Sequence, residues 1–431
     1  MKEPLIFRRD DVLSCEQALY WKDLLYRIVK VGTEIEVAPP KTIARPDFEA
    51  AVRATLEPSE SFERLGRYGV FDVITEHAGI EIRVIGRQPY FSALRKQYSD
   101  ILRILWASGA RPRATCGLHF HLLTPGLGEP VPEIILANVW NLTRRYAPEL
   151  RFITSGGTSR AALCRHSLYC SHLEMVQHSP GALRVAQIQQ LLKNSRIVPE
   201  HQNFINLENL GFDAAGNILP FDVEFRFPDA DLCPLAVTAK TFLFLTLLLK
   251  AVDLSQYGVI HVGRIQPWQR KKYLLDILNN NEGSLATSDT RAVTDEVIEE
   301  LRNGARELLD LLAPTFDRFE EDEPLEVLLT LAETPISLLR SAGYDWPDIE
   351  LYLQNRLNPD AATGLDEIDR RLMQHVDLGE WDHYADLAAW QWRAARELVV
   401  TPQELERRLA RLNELRGLRW DARQGTMVFT R

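Results

Sequence analysis

Alternation of polar and apolar residues in four short segments constrains the fold more than any other feature of this sequence. The segments are Thr33–Val37, Gly79–Ile85, Leu118–Leu123 and Asp222–Phe227, and each is typical of a β-strand. Residues two apart on a strand point to the same face, so each segment would carry polar side chains on one face and apolar side chains on the other. Four such strands in one sheet would form a polar, concave surface.

Helical periodicity separates these predicted strands. It covers Tyr90–Ala107, Glu133–Tyr146, Gly181–Lys193 and Leu235–Val252. Because the helices do not alternate strictly with the strands, the pattern predicts an α+β fold with a substantial antiparallel sheet. The most apolar run, Phe242–Leu249, is far shorter than the ~20 residues that a membrane-spanning helix needs, so we predict a buried core helix there.

Beyond about Gln266 the strand signals nearly vanish and helical patterns prevail. The predicted helices of this region are Val297–Leu312, Pro324–Ser341, Leu365–His375, Tyr384–Val399 and Thr401–Arg416. The last of them begins with a capping box, in which Thr401 is followed three residues later by Glu404. We therefore predict two regions, a catalytic domain over residues 1–265 and an all-α C-terminal region over residues 266–431.

Charge and cysteine content exclude several classes of partner. Lysine and arginine number 50 against 60 aspartate and glutamate residues, for a formal net charge of −10. A field of that sign repels polyanions, so we do not expect a nucleic-acid partner. The five cysteines form no C-x-x-C pair, which is typical of reduced thiols, and the first residues lack the apolar segment of a signal peptide. We expect a cytoplasmic protein without a membrane partner.

Acidic pairs mark the first two predicted strands. Glu34 and Glu36 are two residues apart, and carboxylates that share a strand face repel each other unless a cation lies between them. Ala78 and Gly79 would turn a hairpin that brings Glu76 close to Glu81. Each pattern taken alone is equally typical of an exposed, charged strand or hairpin.

Imidazole and guanidinium groups mark the other two predicted strands. His119 and His121 share one face, as in many metal sites, although the spacing to Glu129 excludes a cupin motif. Glu224 and Arg226 also share a face and would provide one hard metal ligand and one planar group that binds phosphate. A structural histidine pair and a surface salt bridge are the ordinary alternatives.

Taken in order, these segments resemble the carboxylate–amine ligases of the glutamine synthetase superfamily. The resemblance rests on G-x-E-x-E, a glutamate hairpin, G-x-H-x-H and E-x-R-F-P-D, and it covers roughly Lys30–Val252. It is strongest to the amidoligase branch and more distant to glutamate–cysteine ligases. It implies a curved antiparallel sheet of the glutamine synthetase-like catalytic type with flanking helices. That sheet would hold ATP and two or three Mg²⁺ ions, for which Mn²⁺ could substitute.

The same resemblance assigns roles to individual residues. The metal ligands would be Glu34, Glu36, Glu76, Glu81, His119 and Glu224. Arg226 would bind phosphoryl oxygens as a catalytic residue, together with His119 at the side of the metal and phosphate. His121 and Arg196 would contact the nucleotide. Arg160, in the glycine-containing segment Ser155–Arg160, would assist anion binding, although a plain turn explains that segment equally well.

The activity implied by the resemblance is formation of an amide, isopeptide-type bond between a small-molecule or peptide carboxylate and an amine. A carboxylate acylates poorly because its leaving group would be oxide, and phosphorylation by ATP replaces that leaving group with phosphate. Three alternatives remain open. They are a phosphotransferase acting on a guanidino group, a catalytically degenerate nucleotide-binding or scaffold protein, and a transition-metal enzyme using His119 and His121. The helical C-terminal region could also form a homo-oligomer contact.

Overall fold

The computed structural model describes residues 5–9, 12–56, 69–75, 79–86, 91–113, 116–124, 130–156, 182–194, 205–208, 221–261, 269–271, 274, 294–319, 321–357, 372, 375–376, 386–398, 400–416, 418–421 and 426–429. The chain forms two compact units, residues 1–353 and residues 354–431. The boundary predicted after residue 265 lies inside the first unit and stays a prediction.

Strands and helices both contribute to the described part of the chain. The strands are β1 (Phe7–Arg8), β2 (Lys30–Val37), β3 (Gly69–Thr75), β4 (Ile80–Gly86), β5 (Leu118–Leu123), β6 (Ile205–Glu208), β7 (Asp222–Phe225), β8 (Val259–Ile260), β9 (Leu418–Asp421) and β10 (Thr426–Phe429). The helices are α1 (Cys15–Ile28), α2 (Arg45–Leu56), α3 (Phe91–Ala107), α4 (Glu133–Arg145), α5 (Ala147–Ile153), α6 (Val185–Asn194), α7 (Pro234–Leu254), α8 (Asp295–Phe316), α9 (Glu323–Glu333), α10 (Ile336–Ser341), α11 (Trp346–Leu357), α12 (Leu387–Leu398) and α13 (Pro402–Arg416).

One antiparallel sheet of six strands dominates the first unit, in the order β3-β4-β2-β5-β7-β6. The four predicted strands are its four central strands, and the two that the sequence reasoning missed, β3 and β6, lie at its edges. The predicted α+β class is therefore confirmed. Strand β7 ends at Phe225 rather than at the predicted Phe227, so Arg226 lies just beyond the strand.

The apolar face of this sheet packs on α7. The ring of Phe244 lies 4.8 Å from the ring of Phe120, 4.4 Å from that of Phe225 and 5.8 Å from that of Phe227, measured between centroids. On the same face, the Thr33 hydroxyl lies 2.6 Å from the hydroxyl of Tyr98 on α3. Burial of these aromatic side chains stabilises the sheet and leaves its polar side chains on the opposite face.

Helix α7 is long and apolar enough to cross a membrane by length and composition, with a mean hydropathy of 1.8 in its most apolar window. That window is 94% buried within the protein, as in the core helix of a globular protein. The buried core helix predicted around Phe242–Leu249 is confirmed. Lys240 is fully buried as well, and its Nζ lies 2.6 Å from the equally buried Oδ2 of Asp231, so the charge within the helix is neutralised.

Helices α8 to α10 and the first eight residues of α11, Trp346–Leu353, complete the described part of the first unit. Glu350 of α11 accepts the backbone N–H of Leu235 at 2.9 Å, at the first turn of α7. The region predicted as one helix, Pro324–Ser341, is two helices, α9 and α10. The prediction was wrong here because Pro335 has no backbone N–H to continue the ladder and instead lies at the cap of α10.

The second unit contains α12, α13 and a β-hairpin. Met427 of the hairpin is buried with Trp390, Leu405 and Leu412 of the two helices. Strands β9 and β10 correct the prediction of an all-α C-terminal region: their pattern is only four residues long in each strand, too short for the alternation to stand out. The cap predicted for α13 is confirmed, since the Thr401 hydroxyl accepts the Glu404 N–H at 3.2 Å. Most of the predicted helix at residues 365–375 lies outside the described residues.

Candidate metal centre

The register of the sheet brings the predicted ligands together on its polar face. Neighbouring strands run antiparallel, so residues far apart in the sequence lie directly opposite one another. The opposed pairs are Glu81 with Glu36, Glu34 with His119, and His121 with Glu224. All six side chains alternate with buried residues, as the period of two requires, and these are apolar except for Thr33.

Two groups of three side chains could each hold a metal ion. The first consists of Glu36, Glu81 and His119, and all three are buried. The second consists of Glu34, Glu224 and the same His119. Within each group, one ligand atom of every residue lies within 4.8 Å of those of the others. Because His119 belongs to both groups, the two candidate metal positions are adjacent.

Local hydrogen bonds fix these side chains. Glu36 Oε2 accepts the backbone N–H of Gly117 at 2.7 Å, which anchors the carboxylate against the start of β5. His119 Nδ1 lies 3.1 Å from Glu34 Oε2, and His119 Nε2 lies 3.9 Å from Glu36 Oε1. The imidazole of His119 therefore lies between the two glutamates of β2.

Burial and mutual charge shift the pKa values of these groups in opposite directions. Burial raises the pKa of Glu36, and burial together with the charge of Glu34 raises the pKa of Glu81 to about 7. Burial also acts to raise the pKa of Glu34, but hydrogen bonds from His119 and His121 outweigh it and hold that pKa below its usual range. Carboxylates this crowded ionise fully only when cations lie beside them.

His121 has a carboxylate partner that the sequence reasoning did not identify. Its Nδ1 lies 3.0 Å from Asp222 Oδ2, while its Nε2 faces Glu34 Oε2 at 3.5 Å and Glu224 Oε1 at 3.7 Å. Burial acts to lower the pKa of His121, but the hydrogen bonds to Asp222 and Glu34 outweigh it and raise that pKa to about 10. Asp222 thus fixes the orientation of an imidazole that borders the second group.

Two arginines neutralise the carboxylates of the polar face. Arg83 Nε lies 2.6 Å from Glu81 Oε1 and 3.5 Å from Glu34 Oε1, and Arg226 Nη1 forms an ion pair with Glu224. Arg226 was predicted for this face, whereas Arg83 was not. A signal for Arg83 exists, because Glu81 and Arg83 repeat the Glu-x-Arg spacing of Glu224 and Arg226.

Comparisons with known proteins give structural neighbours only. No family model matches the chain, and no curated protein matches it. Among solved structures, the chain is similar to the ligase PafA in its complex with the prokaryotic ubiquitin-like protein Pup, with 12% identity, a TM-score of 0.38, and coverage of 80% of this chain and 71% of that chain. It is also similar to a bifunctional glutathione synthetase from Pasteurella multocida, with 11% identity, a TM-score of 0.36, and coverage of 82% and 54%.

TM-scores this low do not establish a common fold, and the chain spans about half of the glutathione synthetase.

Three of the predicted residues, Glu76, Arg160 and Arg196, lie outside the described residues, and their roles stay predictions. Strands β3 and β4 pair antiparallel on either side of residues 76–78, which lie outside the described residues, so the approach of Glu76 to Glu81 stays a prediction. The remaining predicted residues all lie on the polar face.

The donor set of the polar face suits hard divalent cations. Each group offers two carboxylates and one imidazole, and carboxylate oxygens are the ligands that Mg²⁺ and Mn²⁺ prefer. A soft transition metal would favour thiolates or more imidazoles. Each group contains a single histidine, His119, and no cysteine, so neither group suits such a metal. The guanidinium of Arg226, at the edge of the same face, suits phosphoryl oxygens. The chemistry of the residues therefore fits divalent ions together with an anionic ligand.

Proposed function

We propose that this chain is an ATP- and Mg²⁺-dependent carboxylate–amine ligase that forms an amide bond through an acyl phosphate. The observation that carries the proposal is the pair of three-residue groups that share His119, with Arg226 beside them. Adjacent metal positions next to an arginine suit phosphoryl transfer from a nucleotide, which needs several negative charges neutralised at one place.

The carboxylates on the central strands would hold the divalent ions. Glu36, Glu81 and His119 would bind one ion, and Glu34, His119 and Glu224 would bind another. When bound, such ions screen the repulsion between the nucleotide and the substrate carboxylate and align the γ-phosphate. Gly117 holds Glu36 in place through its backbone N–H, so this ligand is positioned before any ion arrives.

The chemistry of the reaction assigns a role to Arg226. The substrate carboxylate attacks the γ-phosphorus and releases ADP; the amine then attacks the acyl carbon and releases phosphate and a proton. Arg226 would neutralise charge on the transferred phosphoryl group. Its side chain is 15% exposed, so this guanidinium is largely shielded from water, which strengthens its interaction with an anion.

Nucleotide binding provides a test that needs no knowledge of the carboxylate or the amine. We expect ATP with Mg²⁺ to raise the free energy of unfolding by about 2.7 kcal/mol at a hundred times its dissociation constant. Thermal unfolding with ATP alone, with Mg²⁺ alone and with both would measure this. ATP with EDTA is the control, and it should leave the wild-type midpoint unchanged.

Product analysis then separates the ligase from its alternatives. Release of ADP and phosphate together with a new amide supports the proposal. A stable phosphorylated product would identify a phosphotransferase, and stabilisation by Mg²⁺ and ATP without turnover of any carboxylate and amine would favour a binding or scaffold protein. Absence of any Mg²⁺-dependent effect of ATP would contradict a nucleotide site on this face.

The substitution Asp222→Asn tests whether the carboxylate behind His121 supports metal binding. We expect Mn²⁺ affinity to fall by less than the roughly 10- to 100-fold that follows loss of a partner of a ligating histidine, because His121 borders the second group and is not a member of it. In the wild type, the charge of Asp222 holds His121 Nδ1, and this orients Nε2 toward Glu34 and Glu224. Asparagine removes that charge.

The measurement is a titration with Mn²⁺ followed by the electron paramagnetic resonance signal of the free ion. Asp253→Asn is the matched control, because Asp253 forms a comparable ion pair with Lys22 at 2.6 Å on different elements. Equal Mn²⁺ affinity in the wild type and Asp222→Asn would show that metal binding does not depend on the contact between Asp222 and His121.

A further inference from the structure

Arg83 contacts one carboxylate from each of the two candidate metal groups. Its Nε lies 2.6 Å from Oε1 of Glu81, which belongs to the first group, and 3.5 Å from Oε1 of Glu34, which belongs to the second. The register places Arg83 directly opposite Glu34 on the neighbouring strand. A guanidinium thus lies on the polar face where it bridges both groups.

The contacts of Arg83 compete with metal ligation. The oxygen of Glu81 that accepts the guanidinium hydrogen bond has to turn or release it before the carboxylate can bind an ion fully. A positive charge beside the position of an incoming cation also repels that cation. In the absence of metal, however, the same charge offsets the mutual repulsion of Glu34 and Glu81, which contributes to the raised pKa of Glu81.

The exposure of Arg83 allows it to leave. Its side chain is 34% exposed, compared with 5% for Glu81 and 1% for His119. Arginine has a long, flexible aliphatic chain, so its guanidinium can move toward water while the shorter glutamate side chains stay in place. The sheet holds the buried ligands in place, whereas Arg83, which pairs with two of the carboxylates, is the more exposed side chain.

We propose that Arg83 is the counter-cation of the metal-free protein and that divalent ions displace it from Glu81 and Glu34 when they bind. This inference rests on the proposed function, because it takes the same carboxylates to be metal ligands. Arg83 is a positioning residue in this account. It offsets the repulsion between Glu34 and Glu81 and holds both side chains in place until ions take over that role.

The test is the affinity of the intact chain for Mn²⁺ at pH 8, measured for the wild type and for Arg83→Met. Methionine has a similar length and no charge, so the competitor is removed with little change in volume. We expect Arg83→Met to bind Mn²⁺ about tenfold more tightly, because a charged hydrogen bond no longer has to be broken. Arg83→Gln is a second neutral variant and should show the same gain.

Thermal unfolding distinguishes a counter-cation from a purely structural role of Arg83, because only the former predicts that Mn²⁺ compensates for the loss of Arg83. Metal-free Arg83→Met should unfold at a lower temperature than the wild type, and saturating Mn²⁺ should remove most of that difference. Arg95→Met is the matched control: Arg95 is 33% exposed, and its Nη2 lies 3.1 Å from Glu350, far along the chain from the metal groups. This variant should leave Mn²⁺ affinity unchanged.

Two results would separate the inference from the function on which it rests. Unchanged or weaker Mn²⁺ binding in both neutral variants, with normal binding in the wild type, would overturn the role of Arg83 and leave the metal site standing. Absence of Mn²⁺ binding in the wild type and in every variant would overturn the metal site itself. Tighter binding in the neutral variants, with an unchanged Arg95→Met, supports the inference.

Discussion

Replacement of Glu36 by glutamine should abolish the Mg²⁺-dependent effect of ATP on stability and lower turnover by roughly 10²- to 10³-fold, the range found when one preorganised electrostatic group is removed from a catalytic site. Glu36 belongs to the group with Glu81 and His119, and the residue is 9% exposed. Glutamine has the same shape but one neutral oxygen, which is a weak ligand for Mg²⁺. The loss should therefore appear in metal binding first.

The fold should survive this substitution. The side-chain oxygen of glutamine can still accept the N–H of Gly117, which Glu36 now accepts at 2.7 Å. Because burial already raises the pKa of Glu36, removing its charge relieves a desolvation cost in the metal-free protein. We expect an unchanged or slightly higher unfolding temperature without metal.

Thermal unfolding with and without Mg²⁺ and ATP, followed by an ADP-release assay, measures both effects. Glu49→Gln is the matched control, since Glu49 pairs with Arg53 at 3.2 Å on α2 and contacts neither metal group. Wild-type Mg²⁺ dependence in Glu36→Gln would remove Glu36 from the ligand set.

Truncation of Phe244 to alanine should lower the free energy of unfolding by about 3–5 kcal/mol, the usual cost of removing a fully buried phenylalanine side chain. Phe244 is buried between the rings of Phe120, Phe225 and Phe227, so its loss removes contacts to strands β5 and β7 at once. A cavity would remain because Phe120 on β5 and Phe225 on β7 are held by their strands and cannot collapse together without moving the sheet.

Chemical denaturation of the metal-free protein measures this effect. Leu19→Ala on α1 is the control, since Leu19 is 57% exposed and should change stability by no more than about 0.5 kcal/mol. A loss below about 1 kcal/mol for Phe244→Ala would mean that the sheet does not depend on α7 for its apolar layer.

The sequence predicts the central sheet well because its strands are amphipathic. Strand β5 has the predicted bounds, Leu118–Leu123, since apolar Leu118, Phe120 and Leu122 alternate with the two histidines. Each central strand has one buried apolar face and one polar face, and such strands carry the strongest period-two signal. The same alternation predicts that Glu34 and Glu36 share one strand face and that the two histidines share another, and the sheet joins these into one polar face.

The features that the sequence did not predict lack such a sustained period-two alternation. Strand β6 alternates over only four residues, Ile205–Glu208, whereas the alternation of the equally short β7 continues in the sequence through Phe227. The ion pairs of Arg83 with Glu34, and of Asp222 with His121, depend on which residues lie opposite each other, and register is set by the whole sheet rather than by one strand. The break between α9 and α10 is the exception, because Pro335 is visible in the sequence.

The hydrogen bond from Leu235 to Glu350 limits how the chain can be shortened. The acceptor lies 115 residues beyond the donor, and the same carboxylate oxygen lies 3.1 Å from the Cys233 thiol. A fragment that stops at residue 265 would leave the start of the main core helix with an unpaired N–H and would uncover apolar surface of that helix where α9 packs. For expression of the sheet-containing part alone, a C-terminus after the end of α11 at Leu357 is therefore a better choice than one at residue 265.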